Sequence, residues 1–534
     1  MYINDKILMA KAGDNEYYIL PKMANRHGII AGATGSGKTI TLKVMAESFS
    51  DAGVPVFLAD VKGDLAGMCV EGIDTDDMKK RIEKFNIASD FKYKKYPTEF
   101  FDINRVKGLP VRTTITEFGP ILLSYILVLN DIQTDLMNVL FKIADDANMF
   151  IYDIKDLKSM LNFMSEHSAE LADKYGSIAK ASVTAIMRAI VSLEQEGIDQ
   201  FFGEPALMIS DFLRVNENGQ GFINILHSES LIHNRRVYSA FMLWLLSELF
   251  ENMPEVGDLD KPKMVFFFDE AHLLFADANT ALLKKIDQVT KLIRSKGIGL
   301  YFITQDPTDI PDTILQQLGN KIQHVHRAYT AKEKQNLKAI VSSFRENENL
   351  NLIDVVQNLG TGEAIVSFLD EKGVPSIVES VKILPPQSKM GIIDDSMREN
   401  VIKSSLLYYK YYNDIDSESA YEILMDEDKK YEREKSLGID KEAALIKKAE
   451  LEVRKKQEKE LIKQMTGSGK EVESAMTKNM KSIMKTISGS VGREAGKAVS
   501  STLFGKKNSP LKTIFGNSGS AIARGLFGTL ISKK

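Results

Sequence analysis

The chain has 534 residues, of which 44% are hydrophobic and 27% are charged, and its net charge is −4. This length predicts two to four structural units with a large buried core. The single cysteine, Cys69, excludes a disulfide framework and a cysteine-based zinc site. The sequence shows neither an N-terminal signal peptide nor an apolar run of about 18 residues, so the expected compartment is the cytoplasm.

The first motif along the chain is AGATGSGKT, which contains a complete phosphate-loop pattern. Its glycines allow backbone N–H groups to turn toward phosphate oxygens, its lysine neutralises phosphate charge, and its final hydroxyl suits Mg²⁺. The apolar run HGIIA at 27–31 predicts the strand that must precede such a loop. The motif predicts a nucleotide site, with Thr39 also holding the metal, formed by Gly32, Ala33, Thr34, Gly35, Ser36, Gly37, Lys38 and Thr39.

Further strands follow the loop, with helices between most of them. The run VPVFLAD is apolar without alternation, which is typical of a parallel strand buried on both faces. This alternation of elements predicts an α/β doubly wound sheet, with its ligand at the carboxyl ends of the strands. Strands are predicted at 54–60, 264–268, 299–304, 321–325 and 364–368.

Two acidic residues end the strand in VFFFDE. ATP hydrolysis needs Mg²⁺ near the phosphates and a carboxylate that orients or activates the attacking water. We predict that Asp269 holds Mg²⁺ through its water shell and that Glu270 polarises the water. Such a pair also fits a solvated strand end, but the complete phosphate loop upstream favours the catalytic interpretation.

Polar residues end two further strands. Gln305 in YFITQDP is predicted to touch the γ-phosphate or the attacking water, and the alternative is a polar cap of the strand. Asp60 and Asp64 in LADVKGD either order water beside the site or form a turn.

Phosphoryl transfer also calls for a guanidinium, which ring ATPases usually take from a neighbouring subunit, because charge develops on the transferred group. Arg327 follows a core strand and is predicted to act as this sensor or finger. Arg294 in LIRSKG is a second candidate, unless it is an exposed residue at a helix end.

The histidines do not predict a metal site. His272 in DEAH begins a helix and is predicted to cap it or pack. The others lack a glutamate partner at metal-ligand spacing, so no zinc is assigned to His227, His233, His324 or His326.

The remainder of the chain is predicted to be mainly helical or flexible. The apolar helix containing Trp244 is expected in the core, because it is too short to span a bilayer. The predicted domains are a first part of the α/β core at 1–70, a mainly helical insertion at 71–260, a second part of the core at 261–385, a charged helical region at 386–465 and a basic Gly/Ser-rich tail at 466–534.

The pentapeptide TGSGK recurs at 466–470, but this copy is not predicted to bind nucleotide. Gln464 replaces the first glycine of the pattern, and Glu471 places a carboxylate where the metal-binding hydroxyl belongs. We interpret the repeat as a helix stop and hinge. The tail that it opens has 12 Lys/Arg and 3 Asp/Glu, a net charge of +9, which leaves −13 on the preceding residues.

The sequence resembles the HerA/FtsK class of P-loop translocases, specifically the bacterial helicase HerA-like proteins. The resemblance covers roughly 25–381 and rests on long strings such as GIIAGATGSGKT, KPKMVFFFDEAHLLF and IGLYFITQDPTDIPDTILQQLGNKIQHVHRAYT. It implies a RecA-like ATPase core, a hexameric ring, ATP and Mg²⁺ as cofactors, and DNA as the track. The catalytic positions that it implies are Lys38, Thr39, Asp269, Glu270, Gln305 and Arg327.

One departure from the family concerns the N-terminus. Archaeal HerA proteins carry a β-barrel domain before the ATPase core, whereas only some 25 residues precede the phosphate loop here. The barrel supports a nuclease partnership in those proteins, so a nuclease partner is left open for this chain.

Two main functions are compatible with these motifs. The first is an ATP-driven DNA translocase or helicase. The second is an ATPase that remodels protein or membrane-associated assemblies, with the basic tail as its anchor. A nucleotide-gated scaffold without turnover is disfavoured by the presence of Glu270. The tail also places Ile522, Leu526 and Leu530 at four-residue spacing, an apolar stripe that suits docking on an anionic membrane or on the ring. The alternative interpretation is a disordered tail that aids solubility.

Overall fold

The structure of the protein is a computed structural model, and its chain divides into two compact units. The first unit contains Met1–Val111 and Leu207–Asn413, and the second contains Arg112–Ala206 with the described residues from Asp414 onward. The second TGSGK copy and the basic tail lie outside the described residues. The residues described are 1–229, 234–257, 259–276, 278, 280–425, 456 and 459.

The first unit is built around one large sheet. Its strands are β1 (Tyr2–Ile3), β2 (Lys6–Ala12), β3 (Asn15–Ile19), β4 (Gly28–Ala31), β5 (Val56–Asp60), β6 (Thr98–Asp102), β7 (Leu109–Pro110), β8 (Ile223–His227), β9 (Met264–Phe268), β10 (Ile298–Thr304), β11 (Asn320–Gln323), β12 (Glu363–Ser367) and β13 (Glu379–Ile383).

The sheet combines a parallel core with an antiparallel flank. Its order is β1-β2-β13-β12-β11-β4-β10-β9-β5-β8-β6-β7, and β3 pairs with β2. In this order, each pair of neighbouring strands from β11 to the end at β7 is parallel. Each pair from the beginning at β1 to β11 is antiparallel. The phosphate loop leaves β4, which lies inside the parallel part. The molecule therefore has an α/β core with the phosphate loop in the parallel part of its sheet, as predicted from the sequence.

Helices connect these strands and also form the second unit. The α-helices are α1 (Lys38–Asp51), α2 (Asp76–Lys84), α3 (Ile115–Ile126), α4 (Asp131–Ala147), α5 (Ile154–Glu166), α6 (Ser168–Tyr175), α7 (Lys180–Gln195), α8 (Arg235–Asn252), α9 (Thr280–Ile293), α10 (Asp312–Leu315), α11 (Ala331–Ser342), α12 (Leu352–Asn358), α13 (Asp395–Ser404), α14 (Tyr408–Tyr411) and α15 (Ala420–Met425). Short 3-10 helices occupy Pro21–Arg26, Ala66–Cys69, Ile198–Phe201, Ile209–Phe212, Ala271–Leu274, Arg294–Lys296 and Pro307–Asp309.

The six strands predicted from apolar runs are all present, as β4, β5, β9, β10, β11 and β12, with ends within two residues of the predicted ones. Every residue of β4, β5, β9 and β10 is buried. Complete burial explains why these strands read as continuous apolar runs, because both faces of a parallel sheet are covered by helices. The predicted core helix is α8, in which Trp244 is buried.

The segment 71–260 contains three sheet strands, β6, β7 and β8, that the prediction of a mainly helical insertion did not include. Each residue of β6 pairs with β8, which in turn pairs with β5. Their sequences, TEFFD and INILH, are five residues long and carry polar residues among the apolar ones. Such short mixed runs give no clear period, so the neighbouring long helices dominated the prediction. The predicted domain boundaries remain predictions.

The second unit contains α3 to α7 and α15. Capping boxes begin α4 at Asn130 and α5 at Asp153, and each satisfies backbone N–H groups that the first turn leaves free. The carboxylate of Asp156 accepts hydrogen bonds from Ser419 Oγ (2.5 Å) and Tyr421 N (2.9 Å), which attaches α15 to α5. Among the described residues no single helix has the length and apolar character to cross a bilayer, although the bent pair α6 and α7 together has both.

Candidate functional site

The phosphate loop connects β4 to α1 and is attached to the two strands beside β4. Gly32 N donates to Thr304 O of β10 (3.2 Å), and Ala33 N donates to Val325 O beyond β11 (2.9 Å). Helix α1 begins after Gly37, whose φ of +113° is rarely accessible to other residues, and no side chain caps the helix. The free N–H groups of its first turn are therefore available to an anion.

The first glycine of the loop is required by close packing. A Cβ atom on Gly32 would lie 2.5 Å from Cβ of His324, and Gly32 has a φ of +150°. A larger residue would push the loop away from the segment that follows β11. This contact gives a physical reason for the glycine at the start of the pattern.

Lys38 and Thr39 are the first two residues of α1. Lys38 Nζ donates to the loop carbonyls of Gly32 (2.5 Å) and Ala33 (3.0 Å). Burial lowers the pKa of Lys38, and the nearby carboxylate of Glu270 partly opposes this change. The ammonium group therefore lies between the loop and the acidic residues, where a phosphate would find a counter-ion.

The acidic pair follows β9. Glu270 is 7% exposed and has a φ of +48°, a left-handed conformation that costs a non-glycine residue free energy. Burial, and then the neighbouring Glu270 carboxylate, raise the pKa of Asp269 to about 7. A cation beside Asp269 would lower that pKa again, so the electrostatics of the pair suit a metal ion.

Gln305 links the acidic pair to the phosphate loop. Its Nε2 donates to Glu270 Oε2 (3.4 Å), and its Oε1 accepts a hydrogen bond from Thr34 Oγ1 (3.3 Å). Three residues that the sequence predicted independently thus meet at one edge of the sheet. The side-chain series Thr34, Gln305 and Glu270 spans the space in which a γ-phosphate would lie.

Lys62 belongs to the site but was not predicted. Its Nζ lies 3.3 Å from Glu270 Oε1, and His272 Nδ1 lies 3.5 Å from Glu270 Oε2. Burial opposes the charge of Lys62, but the Glu270 and Asp269 carboxylates raise its pKa overall. Its position directly after β5, at the same edge as the acidic pair, is the sequence signal that would have identified it.

Asp60 forms a turn. Its carboxylate accepts hydrogen bonds from Gly63 N (2.8 Å) and Leu65 N (3.1 Å), so of the two predicted roles the structure shows turn formation. Burial, and then Asp64, raise the pKa of Asp60 to about 6.

The two candidate arginines lie at opposite edges of the parallel part of the sheet, because Arg327 follows β11 whereas Arg294 precedes β10. Arg327 is exposed in the segment after β11, on the edge from which the phosphate loop emerges. Arg294 begins the 3-10 helix that precedes β10, whereas Gln305 follows that strand. Because β10 runs across the sheet between them, the position of Arg294 disfavours a role at the phosphates.

His324 supports the phosphate loop, a role that the sequence did not suggest. Burial lowers its pKa to about 4, so the ring is neutral near pH 7. Nδ1 lies 2.8 Å from Glu363 O and must donate to that carbonyl, which leaves Nε2 to accept from Thr41 Oγ1 at 2.8 Å. The ring thus joins α1 to the first residue of β12. Among the described residues no group of three His, Cys, Asp or Glu could hold a metal ion, and His233 lies outside them.

Comparison with known proteins gives a family match and archaeal relatives. The family model described as "Helicase HerA-like C-terminal" matches residues 5–509. The protein named DNA double-strand break repair helicase HerA of Sulfolobus acidocaldarius is 22% identical over 362 residues, which cover 64% of this chain and 62% of that protein. The protein of the same name of Sulfurisphaera tokodaii is 22% identical over 369 residues, which cover 66% and 64%.

This chain therefore spans less than two thirds of the length of these relatives. Among solved structures, the bacterial conjugative coupling protein TrwBdeltaN70 aligns with a TM-score of 0.44 and 13% identity, over 68% of this chain and 87% of that one.

Proposed function

This chain belongs to the helicase HerA-like C-terminal family, and from that membership we propose that it is an ATP-hydrolysing motor that moves along DNA as a translocase or helicase. The observation that carries the proposal is the hydrogen-bonded series from Thr34 in the phosphate loop through Gln305 to Glu270. This series places a carboxylate opposite the phosphate loop, as hydrolysis requires. The names of the two archaeal relatives support DNA as the track.

The residues at the site fit a nucleotide with Mg²⁺. Backbone N–H groups of the loop from Gly32 to Thr39 would bind the phosphates, and Lys38 would neutralise their charge. The Thr39 hydroxyl and Asp269 would hold Mg²⁺, because hydroxyl and carboxylate oxygens are ligands that suit this hard cation. When bound, the metal neutralises charge that develops on the phosphates.

Glu270 would accept a proton from the attacking water. Gln305 holds one oxygen of this carboxylate and Lys62 holds the other, so its orientation is fixed from both sides. Gln305 also contacts the phosphate loop through Thr34, and a change at the phosphates would therefore alter the position of the catalytic carboxylate. This arrangement couples hydrolysis to the rest of the unit.

A homo-hexameric ring in the cytoplasm is part of the proposal, with Arg327 completing the site of a neighbouring subunit. Arg327 is exposed on the edge of the sheet that carries the phosphate loop. An exposed guanidinium at this edge can reach a nucleotide held by another copy, where it would stabilise the charge of the transition state.

The test is ATP turnover with and without single-stranded and double-stranded DNA. DNA should stimulate turnover, and added salt should weaken the stimulation because phosphate contacts release counter-ions. Turnover that proceeds without any response to either DNA would overturn the DNA motor. Anionic vesicles serve as the second arm, because stimulation by vesicles alone would instead support the alternative function, remodelling of membrane-associated assemblies.

A further inference from the structure

Large apolar side chains are exposed around the short helix α14, at the end of the first unit. Leu406 is 86% exposed, Tyr409 is 88% exposed and Tyr412 is 56% exposed. The rings of Tyr408 and Tyr412 stack with their centroids 4.5 Å apart, and the ring of Tyr409 stands perpendicular to that of Tyr408 at 5.6 Å. We call these four residues the tyrosine face. An exposed cluster of apolar and aromatic side chains is typical of a binding surface.

The tyrosine face is fixed by the residues between its members. Tyr411 is buried, and its hydroxyl donates to the carboxylate of Asp211 and accepts a hydrogen bond from Met208 N (3.0 Å). Lys410 Nζ donates to the same carboxylate (2.6 Å). Because these contacts anchor α14 to its own unit, the neighbouring tyrosines are exposed in a defined arrangement.

The preceding helix, α13, brings acidic residues to the tyrosine face. Asp395, Glu399 and Lys403 are exposed and recur at four-residue spacing, so they lie on one side of the helix. The Glu399 carboxylate, 2.6 Å from the ammonium, raises the pKa of Lys403. The phenols of Tyr408 and Tyr412 raise it further, so this ammonium lies beside both rings. Two carboxylates against one ammonium, next to aromatic rings, suit a partner that is both apolar and basic.

Residues 495–534 of this chain have that composition. They contain seven Lys/Arg and neither Asp nor Glu. Ile522, Leu526 and Leu530 recur at the spacing that places side chains on one face of a helix, and Arg524 lies between the first two. The sequence of this segment therefore complements the tyrosine face in both apolar character and charge.

The chain itself connects this segment to the tyrosine face. Tyr412 is followed after 13 residues by Met425, where the continuously described part ends. An extended chain of that length spans at most about 45 Å, so the tail is tethered close to the face. A contact within one chain needs less binding free energy than a contact between separate molecules, because the tether keeps the effective concentration high.

We propose that residues 520–534 dock on the tyrosine face of their own chain, with Leu526 and Leu530 against the aromatic rings. Arg524 then lies beside the carboxylates of α13. Burial of the leucine side chains supplies the attraction, and the pairing of opposite charges sets the orientation. The inference is independent of the proposed function, because α14 packs beside β7 whereas the phosphate loop leaves β4.

The test is disulfide formation in the full-length protein, whose single cysteine is Cys69. Tyr409→Cys and Leu526→Cys are combined in a Cys69→Ser background, and the protein is oxidised in the absence of lipid and nucleic acid. A disulfide requires Cα atoms within about 7 Å of each other, so it forms readily only where the segment docks. Mass spectrometry of the linked peptides, together with gel mobility, identifies the product within one chain.

The matched control replaces Tyr409→Cys by Tyr329→Cys and keeps the other two changes. Tyr329 is also an exposed tyrosine, at 76%, but it follows β11, at the other end of the parallel strands from β7. The Tyr409 pair should give at least about fivefold more intrachain disulfide than the control pair, because docking raises the local concentration of the second thiol.

A second comparison tests the apolar stripe. Leu530→Asp, added to the Tyr409 pair, should lower the yield of intrachain disulfide about fivefold or more, since a buried leucine contact is replaced by a charge. Thr529→Asp introduces the same charge beside the stripe and should lower the yield less.

The proposal is overturned if the Tyr409 pair gives no more intrachain disulfide than the Tyr329 pair, or if the two aspartate variants lower the yield equally. Disulfides formed mainly between two chains would also overturn it, and would assign the segment to a neighbouring copy. If the intrachain product is absent and binding to vesicles of phosphatidylglycerol and phosphatidylcholine depends on Leu530, the segment belongs to a membrane instead.

Discussion

The amide of Gln305 lies 3.4 Å from the carboxylate of Glu270 and donates a hydrogen bond to it. Gln305 follows β10 and Glu270 follows β9, so the pair joins the ends of two neighbouring parallel strands. We interpret this contact as the connection through which the state of the phosphates reaches the hydrolytic residue.

Replacement of Glu270 by Gln should leave ATP binding intact and lower turnover about 100-fold or more, because an amide keeps the shape of the side chain but cannot accept the proton. Single-turnover assays together with nucleotide binding measure the two effects separately. Turnover near that of the unchanged protein would remove Glu270 from the mechanism.

Replacement of Lys38 by Ala should abolish nucleotide binding or turnover, since the phosphates would lose their counter-ion. Lys470→Ala is the matched control, because it alters the same pentapeptide in the copy that is not predicted to bind nucleotide. Steady-state ATPase assays of both variants test the interpretation of the repeat. Loss of hydrolysis in the Lys470 variant would contradict it.

His324 should make the stability of the first unit depend on pH. Its pKa is about 4 in the folded protein and about 6.5 in an unfolded chain, so the unfolded state binds the proton more tightly. The contribution of the neutral His324 ring to the free energy of unfolding is complete above pH 6.5 and is lost as pH falls toward 4. At pH 5 the loss is about 2 kcal/mol. Urea unfolding of the protein and of His324→Asn at pH 7 and pH 5 measures the difference.

In that comparison the variant should lose less stability between the two pH values, whatever its stability at pH 7. An equal loss in both proteins would show that His324 is not the group responsible. His27 is also buried with a lowered pKa of about 4, and it contributes equally to both proteins.

Replacement of Arg327 by Ala should preserve ATP binding and lower turnover if the residue acts on a neighbouring subunit. Mixing this variant with Lys38→Ala subunits should partly restore activity, because some interfaces in the mixed ring then carry both intact residues. The measurement is ATPase activity across mixing ratios, after mixed assembly has been verified. Absence of rescue in such rings would place Arg327 in its own subunit's site.

Deletion of 466–534 should leave basal ATP hydrolysis within about twofold and weaken binding to DNA or anionic vesicles, because the segment carries a net charge of +9. Binding assays at two salt concentrations separate charge from apolar contact. Loss of basal turnover, or dissociation into monomers, would show that the tail belongs to the ring.

Patterns that are local in sequence identified much of the fold and of the candidate site. The phosphate loop, the apolar strands and the acids after β9 each appear within a few adjacent residues. His324 was missed because its importance comes from a partner far along the chain, Thr41, whereas Lys62 could have been identified from its place after β5. No single-sequence pattern encodes such pairs.

Strand β4 obtains both of its sheet partners very late in the chain. Gly28 pairs with Tyr301 of β10 and with Asn320 of β11, and the loop after β4 is attached to Thr304 and Val325. During synthesis, β4 and the phosphate loop therefore lack their neighbouring strands and hydrogen-bond partners until residues beyond 325 have left the ribosome. A chain truncated before that point should lack an ordered nucleotide site even though its Gly-rich motif is intact.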